Sequence, residues 1–281
     1  MLHNWIRVFY SDNGVLTDFS VEAQNNADTI PLEMVAAEDY VYVGQYFPFN
    51  NLFFQLDTAN TVASVMSAQY WDGKVWRDAV DFIDSTKLLG KTLSRNGVIQ
   101  WSPDRNNSWL RTEDTANRGA PTELSTLKIY ELHWMRLKVS VSLSAGTIIK
   151  DLGYAFTANH MLSSIDPEIN EYLVPWGGVS KVDWDEQIQL ASNHVVADLR
   201  SRGLVVAPGN VLRFDDVSLA TAYRTLQIIY SRLGEAFAPR KQDAQENYEK
   251  LLNLKGFTFD TNRNGLAERQ EIAGTTAGLV R

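Results

Sequence analysis

The sequence predicts a multidomain, β-then-α protein: an antiparallel, jelly-roll-like β-sandwich followed by a small α-helical bundle. Three observations predict it. Short β-branched and aromatic runs separated by turn residues fill the chain to about residue 156. A stretch with Pro167, Pro175, Gly177 and Gly178 follows at 158–182 and reads as an irregular linker. From Asp183 the apolar residues recur with a helical period.

The strand candidates are 40–45, 51–57, 64–71, 97–101, 127–132, 135–143 and 147–156. Tyr40 to Gln45 is almost entirely β-branched and aromatic, and 51–57 holds Phe53 and Phe54. Asp72-Gly73, between Trp71 and Trp76, is a hairpin signal, because a two-residue turn there needs positive φ at both positions. Several short strands without intervening helices favour an antiparallel sandwich over 1–157. Segments 21–28 and 106–122, rich in polar residues, read as loops.

In the helical domain, 183–256, Asp183 is a candidate N-cap with Glu186 reaching back as a capping box. Ile188, Ala191, Val195 and Leu199 then form one face, and Gly203 suits a C-terminal cap. Asp215 or Asp216 would cap a second helix with Leu219, Tyr223, Leu226, Tyr230 and Leu233 on its apolar face. A third, from about Lys241, carries Ala244, Tyr248, Leu251 and Leu252. Single apolar stripes do not stabilise isolated helices, so these must pack on one another or on a neighbouring subunit. Residues 257–281 read as a polar loop and a flexible tail.

Composition narrows the function. The 281 residues include no cysteine, which excludes disulfides, thiolate metal sites and a cysteine nucleophile. A net charge of −8 argues against gripping nucleic acid by its phosphates. Met1 to Arg7 lacks the pattern of a secretory signal, and no stretch approaches the roughly 20 apolar residues of a membrane span, so a soluble protein with no membrane partner is expected.

The sharpest chemical motif lies near the C-terminus. Asp260, Asn262 and Asn264 stand at positions 1, 3 and 5 of a twelve-residue calcium loop, with Gly265 at the turn. Leu266 would offer its carbonyl, and Glu268 and Glu271 stand at positions 9 and 12. Hard oxygen ligands at this spacing suit Ca²⁺ in a structural role. Position 8 departs from the pattern as Ala267, and the preceding Phe257 to Phe259 reads as extended, giving an EF-like loop without its first helix. The bland alternative is a polar turn without an ion.

Other signals carry less. Gly90-Lys91-Thr92 ends like a P-loop, but Ser85 stands where the first glycine belongs. His3, His133, His160 and His194 show no zinc-protease spacing, and no Gly-x-Ser-x-Gly elbow is present. The carboxylate pairs Asp166/Glu168 and Asp183/Asp185 could serve a hydrolase only across a cleft; beside helices they read first as caps. Trp71, Trp76, Trp101 and Trp134 could stack on sugars but are better read as core, with Trp109 in a polar loop. No catalytic residue is assigned and a non-enzymatic role is expected.

Trp184 to Arg200, Leu219 to Leu233 and Tyr248 to Leu252 together resemble the helical head–tail connector, or adaptor, proteins of tailed bacteriophages. Tyr70 to Trp76, Gly97 to Trp101 and Trp134 to Lys138 resemble, more loosely, sandwich domains of phage neck and tail proteins. The large N-terminal β domain departs from the smallest adaptors, which are nearly all helix. The resemblance implies a structural virion protein of the neck, assembled in the host cytoplasm as a homo-oligomeric ring, usually dodecameric. Such a ring would dock between the portal protein and the next neck or tail component. Genomic DNA would pass through its lumen without sequence-specific binding, and an acidic lining would let it slide. The alternative is a glycan- or receptor-binding virion or cell-surface module with a helical anchor.

Overall fold

The computed structural model describes residues 6–24, 28–102, 120–127, 129, 131–179, 181–205, 208–253 and 257–260. Two antiparallel sheets of eleven strands precede a set of helices, so the β-then-α order holds. The chain forms two compact units, the first running to Gly153 and the second starting at Tyr154.

The strands are β1 (Arg7–Asp12), β2 (Val15–Asp18), β3 (Ile30–Pro31), β4 (Tyr40–Gln45), β5 (Asn51–Thr58), β6 (Met66–Trp71), β7 (Trp76–Asp78), β8 (Val80–Asp84), β9 (Gly97–Ser102), β10 (His133–Val139) and β11 (Ile148–Gly153). They make a six-stranded sheet, β2-β1-β4-β10-β6-β7, and a five-stranded sheet, β3-β11-β5-β9-β8. The chain crosses between sheets at β2→β3, β3→β4, β4→β5, β5→β6, β7→β8, β9→β10 and β10→β11.

One apolar cluster draws on both sheets: Val41, Val43, Met135 and Leu137 from one, Leu52, Phe54, Ile99 and Trp101 from the other. Strand periodicity sends alternate residues to the opposite face. There Phe9, Tyr42, Trp71 and Trp134 form a second cluster with Leu124 and Leu132. Trp101 therefore lies in the cluster the sheets share, whereas Trp71, Trp76 and Trp134 belong to the aromatic one.

Turn chemistry places the tight hairpin elsewhere than expected. Asn13 (φ 44°) and Gly14 (φ 84°) form the two-residue turn joining β1 and β2, closed by the pair Asp12 and Val15. Asp39, buried, holds that turn by accepting from the Asn13 N–H (2.9 Å) and the Tyr10 hydroxyl (2.8 Å). At Asp72-Gly73 only Gly73 is at positive φ, and the loop has four residues between Trp71 and Trp76. The Asp72 carboxylate accepts from the N–H groups of Lys74 and Val75, both at 2.8 Å, which substitutes for the missing turn geometry. Of the expected strand at 127–132, the described residues 127, 129, 131 and 132 lie in none: Thr122–Leu127 is a 3₁₀ turn and Glu131 has φ 63°. The segment 106–119 and Trp109 lie outside the described residues.

In the second unit, 158–182 is less irregular than expected, holding α1 (Asn159–Ile165) and α2 (Leu173–Gly177). The long helices are α3 (Asp185–Ser201), α4 (Phe214–Arg232) and α5 (Ala238–Leu252). Ile188, Ala191, Val195 and Leu199 are all buried on α3, as the periodicity predicts. The capping box is not made. Asp183 accepts from the Asp185 N–H at 3.1 Å, while Glu186 points outward, 3.9 Å from Lys181. On α4, Asp215 and Asp216 sit in the first turn, where the helix dipole favours them, and Arg213 is the N-cap residue. The buried stripe of α4 is Val217, Thr221, Thr225 and Ile229 with Leu226 and Tyr230; Leu219 is exposed. The two threonine hydroxyls donate to the carbonyls four residues back, at 2.9 and 2.8 Å, so they enter the core already satisfied.

Gly44 faces the Trp134 ring across the six-stranded sheet. A Cβ there would meet the Trp134 ring at 2.7 Å, and that ring is fully buried. Gly44→Val should therefore destabilise the first unit by about 1–3 kcal/mol through overpacking. Equilibrium denaturation checks it, and a wild-type midpoint would show that Trp134 can move aside.

Candidate functional site

The calcium-loop residues meet the described structure only at their first member. Thr258 and Phe259 are extended, with Phe259 bridging Val211. Asp260 follows, buried, with its N–H donating to the Asn210 carbonyl (2.8 Å) and its carbonyl accepting from the Asn210 side chain (2.9 Å). The start of the motif is thus pinned to the segment before α4, and the three residues directly before it, Phe257 to Phe259, are not helical. Asn262, Asn264, Leu266, Glu268 and Glu271 lie outside the described residues. Among the described residues no three His, Asp or Glu side chains gather as a metal-ligand group.

The densest polar constellation is built by α1, the 3₁₀ turn Ile169–Tyr172, α4 and α5. Asp166, the C-cap residue of α1, accepts from the Tyr230 hydroxyl at 2.6 Å and from Arg240 at 3.3 Å. Its other oxygen accepts from the Glu168 N–H at 3.0 Å. Arg240 also donates to Glu168 at 3.0 Å and to the Tyr172 hydroxyl, which itself donates to Glu168 at 2.9 Å. Phe237 packs edge-on against Tyr172 and stacks with Tyr230.

The electrostatics follow from this geometry. The Arg240 hydrogen bond holds the Glu168 carboxyl below its ordinary range. Burial, then the bond to Glu168, pushes the Tyr172 hydroxyl up to about 12. Burial raises Tyr230 as well, and Glu168 raises Arg240. The acidic pair singled out in the sequence is therefore joined through one guanidinium. Two carboxylates sharing one guanidinium clamp the segment after α1 to the start of α5. Arg240 had no local signal in the sequence, and Tyr230 was read only as part of an apolar stripe; they lie 64 to 74 residues from the acids, whereas Tyr172 is four residues from Glu168.

Beside the clamp a cavity of about 300 Å³ opens between α4 and α5. Leu226, Ala244 and Ile165 give it apolar walls, Tyr223 and Tyr230 add rings, and Asp166, Asp243, Asn247 and Arg240 supply polar groups.

A second node joins the three long helices. Arg224 on α4 donates from Nε to His194 Nδ1 on α3 at 3.1 Å and lies 5.2 Å from the Tyr248 ring on α5. The Tyr248 hydroxyl returns to Asp198 on α3. His194 is thus a packed acceptor rather than a metal ligand.

In the first unit, Arg136 lies between the rings of Tyr40 and Trp76, 4.6 Å from each. Glu123 accepts from both Arg136 and the Trp76 indole, each at 3.2 Å. Thr92, in the P-loop-like fragment, donates its hydroxyl to Asp84 at 2.5 Å and is buried, so its oxygen is committed within the fold.

Comparison with known proteins gives no family model, curated sequence or solved structure that matches this chain. No described helix is long and apolar enough to cross a membrane.

The His194 geometry sets a pH dependence. Burial, with Arg224 adding repulsion, holds the imidazole below its ordinary 6.5, and Asp198 opposes only in part. As pH falls through about 6.5 the unfolded chain takes the proton first, so stability declines there and levels off below the folded value. His194→Gln keeps an acceptor and should flatten that decline in denaturation series between about pH 5 and 8. An unchanged slope would assign the loss to other groups.

Proposed function

We propose that this protein is a structural subunit of a tailed-phage neck, forming a homo-oligomeric ring between the portal and the next component, with the genome passing through the lumen. The observation that carries this reading is the apolar surface of the helical unit. Val179 and Val182 are 90% and 79% exposed, Val174 lies close by in sequence, and Leu190 on α3 and Leu219 on α4 are 45% and 43% exposed. Scattered exposed apolar residues are ordinary; three within 174–182 are better explained by a contact with another chain. The net charge of −8 suits a lumen that lets DNA slide. Glycan reading by the sheets has weaker support, because Trp71, Trp101 and Trp134 are buried and Trp76 is half-buried against Arg136.

Native mass spectrometry and negative-stain imaging of the full chain should show closed rings with a central channel. A monomer at every concentration would overturn the reading. The calcium loop is proposed as a structural clip beyond the helices. Calorimetric titration with millimolar Ca²⁺ should give saturable heat that Glu271→Gln removes, since that residue would be the bidentate ligand. Absence of heat in the wild type would leave the motif as a polar turn.

A further inference from the structure

The cavity between α4 and α5 has an uneven charge balance. Its only cation, Arg240, is engaged by Asp166 and Glu168. Asp243 is exposed on the cavity's rim, and among the described residues no cation holds it. Asn247 donates its side-chain N–H to the Asp243 carbonyl, which leaves its amide oxygen for a ligand. Leu226 and Ala244 provide an apolar wall along which an aliphatic stem can lie. A volume of about 300 Å³ admits one long side chain. A guanidinium on an aliphatic stem meets each of these requirements.

The same helical unit carries such a group. Arg232 is exposed, and among the described residues it has no carboxylate partner; its guanidinium lies 4.3 Å from the Trp176 ring. Arg232 comes two residues after Tyr230 on α4, about 200° around the helix, so it faces away from the cavity. A contact between two different patches of one chain is head-to-tail, the kind that closes into rings. An exposed cation–π contact is worth only about 0.5–1 kcal/mol, so Arg232 can exchange its ring for a carboxylate.

We propose that the α4–α5 cavity is a socket for Arg232 of a second copy of this chain, with Asp243 as its counter-ion. This rests on the ring reading and names the contact that would build the ring. The test is charge reversal in the full chain: Asp243→Arg, Arg232→Asp and the two combined, with assembly followed by analytical ultracentrifugation and folding by thermal melting. Each single variant should melt like the wild type and weaken assembly about tenfold or more, and the combined variant should recover it. Single variants that fold and assemble like the wild type would overturn the socket while leaving the ring intact. A wild type that never assembles would overturn both. A single variant that melts early is replaced by Asp243→Asn or Arg232→Gln, which should weaken assembly in the same direction.

Discussion

Along β4 and β10, side chains alternate between an aliphatic cluster on one side of the six-stranded sheet and an aromatic cluster on the other. Every β4 residue from Val41 to Gln45 is buried as a result. A sheet with two apolar faces needs two covers, and much of the first unit answers that need. The five-stranded sheet supplies residues against one face. Leu124 and Leu132 pack with the aromatic face, and Glu123 ties the 3₁₀ turn to Arg136 and Trp76. Gly44 follows from the same constraint, since the large Trp134 ring needs a neighbour without a side chain.

The second unit solves its packing differently. Its core is aliphatic on α3, but α4 brings Ser218, Thr221 and Thr225 into buried positions, and α5 buries only Ala244, Tyr248 and Leu252. Thin apolar contact is supplemented by polar joints: Arg240 to the acids after α1, Arg224 to His194, and Tyr248 to Asp198. These joints are half-buried to exposed, so their directional bonds add orientation to the helix contacts more than they add stability. They fix the rotation of each helix where an aliphatic stripe alone would tolerate slippage.

The order of elements was legible because strand and helix periods differ, and Val41, Val43, Ile188 and Val195 announce them plainly. The stripe on α4 was misread by hydropathy, which counts Thr221 and Thr225 as polar although their hydroxyls are satisfied within the helix. At 127–132, where no described residue is in a strand, strand-like composition carries no information about the positive φ at Glu131. β1 and β2 are absent from the strand candidates, although Asn13-Gly14 between them is a hairpin signal of the same kind as Asp72-Gly73. The Asp166–Arg240 clamp was half visible. Its acids are adjacent in sequence, whereas Arg240 arrives through tertiary structure.

These features change what assembly would involve. Amphipathic helices with narrow stripes suggested subunits that complete one another's cores. Instead Ile188, Val195, Val217 and Ile229 are fully buried within a single chain. Association would therefore dock surfaces that already exist, with no folding step left to the partner. Such interfaces depend on exposed apolar positions such as Val179 and Leu219 and on charges at their rims. Rim charges govern encounter and register and are screened by salt. A ring built this way, as proposed, would join subunits that are already folded.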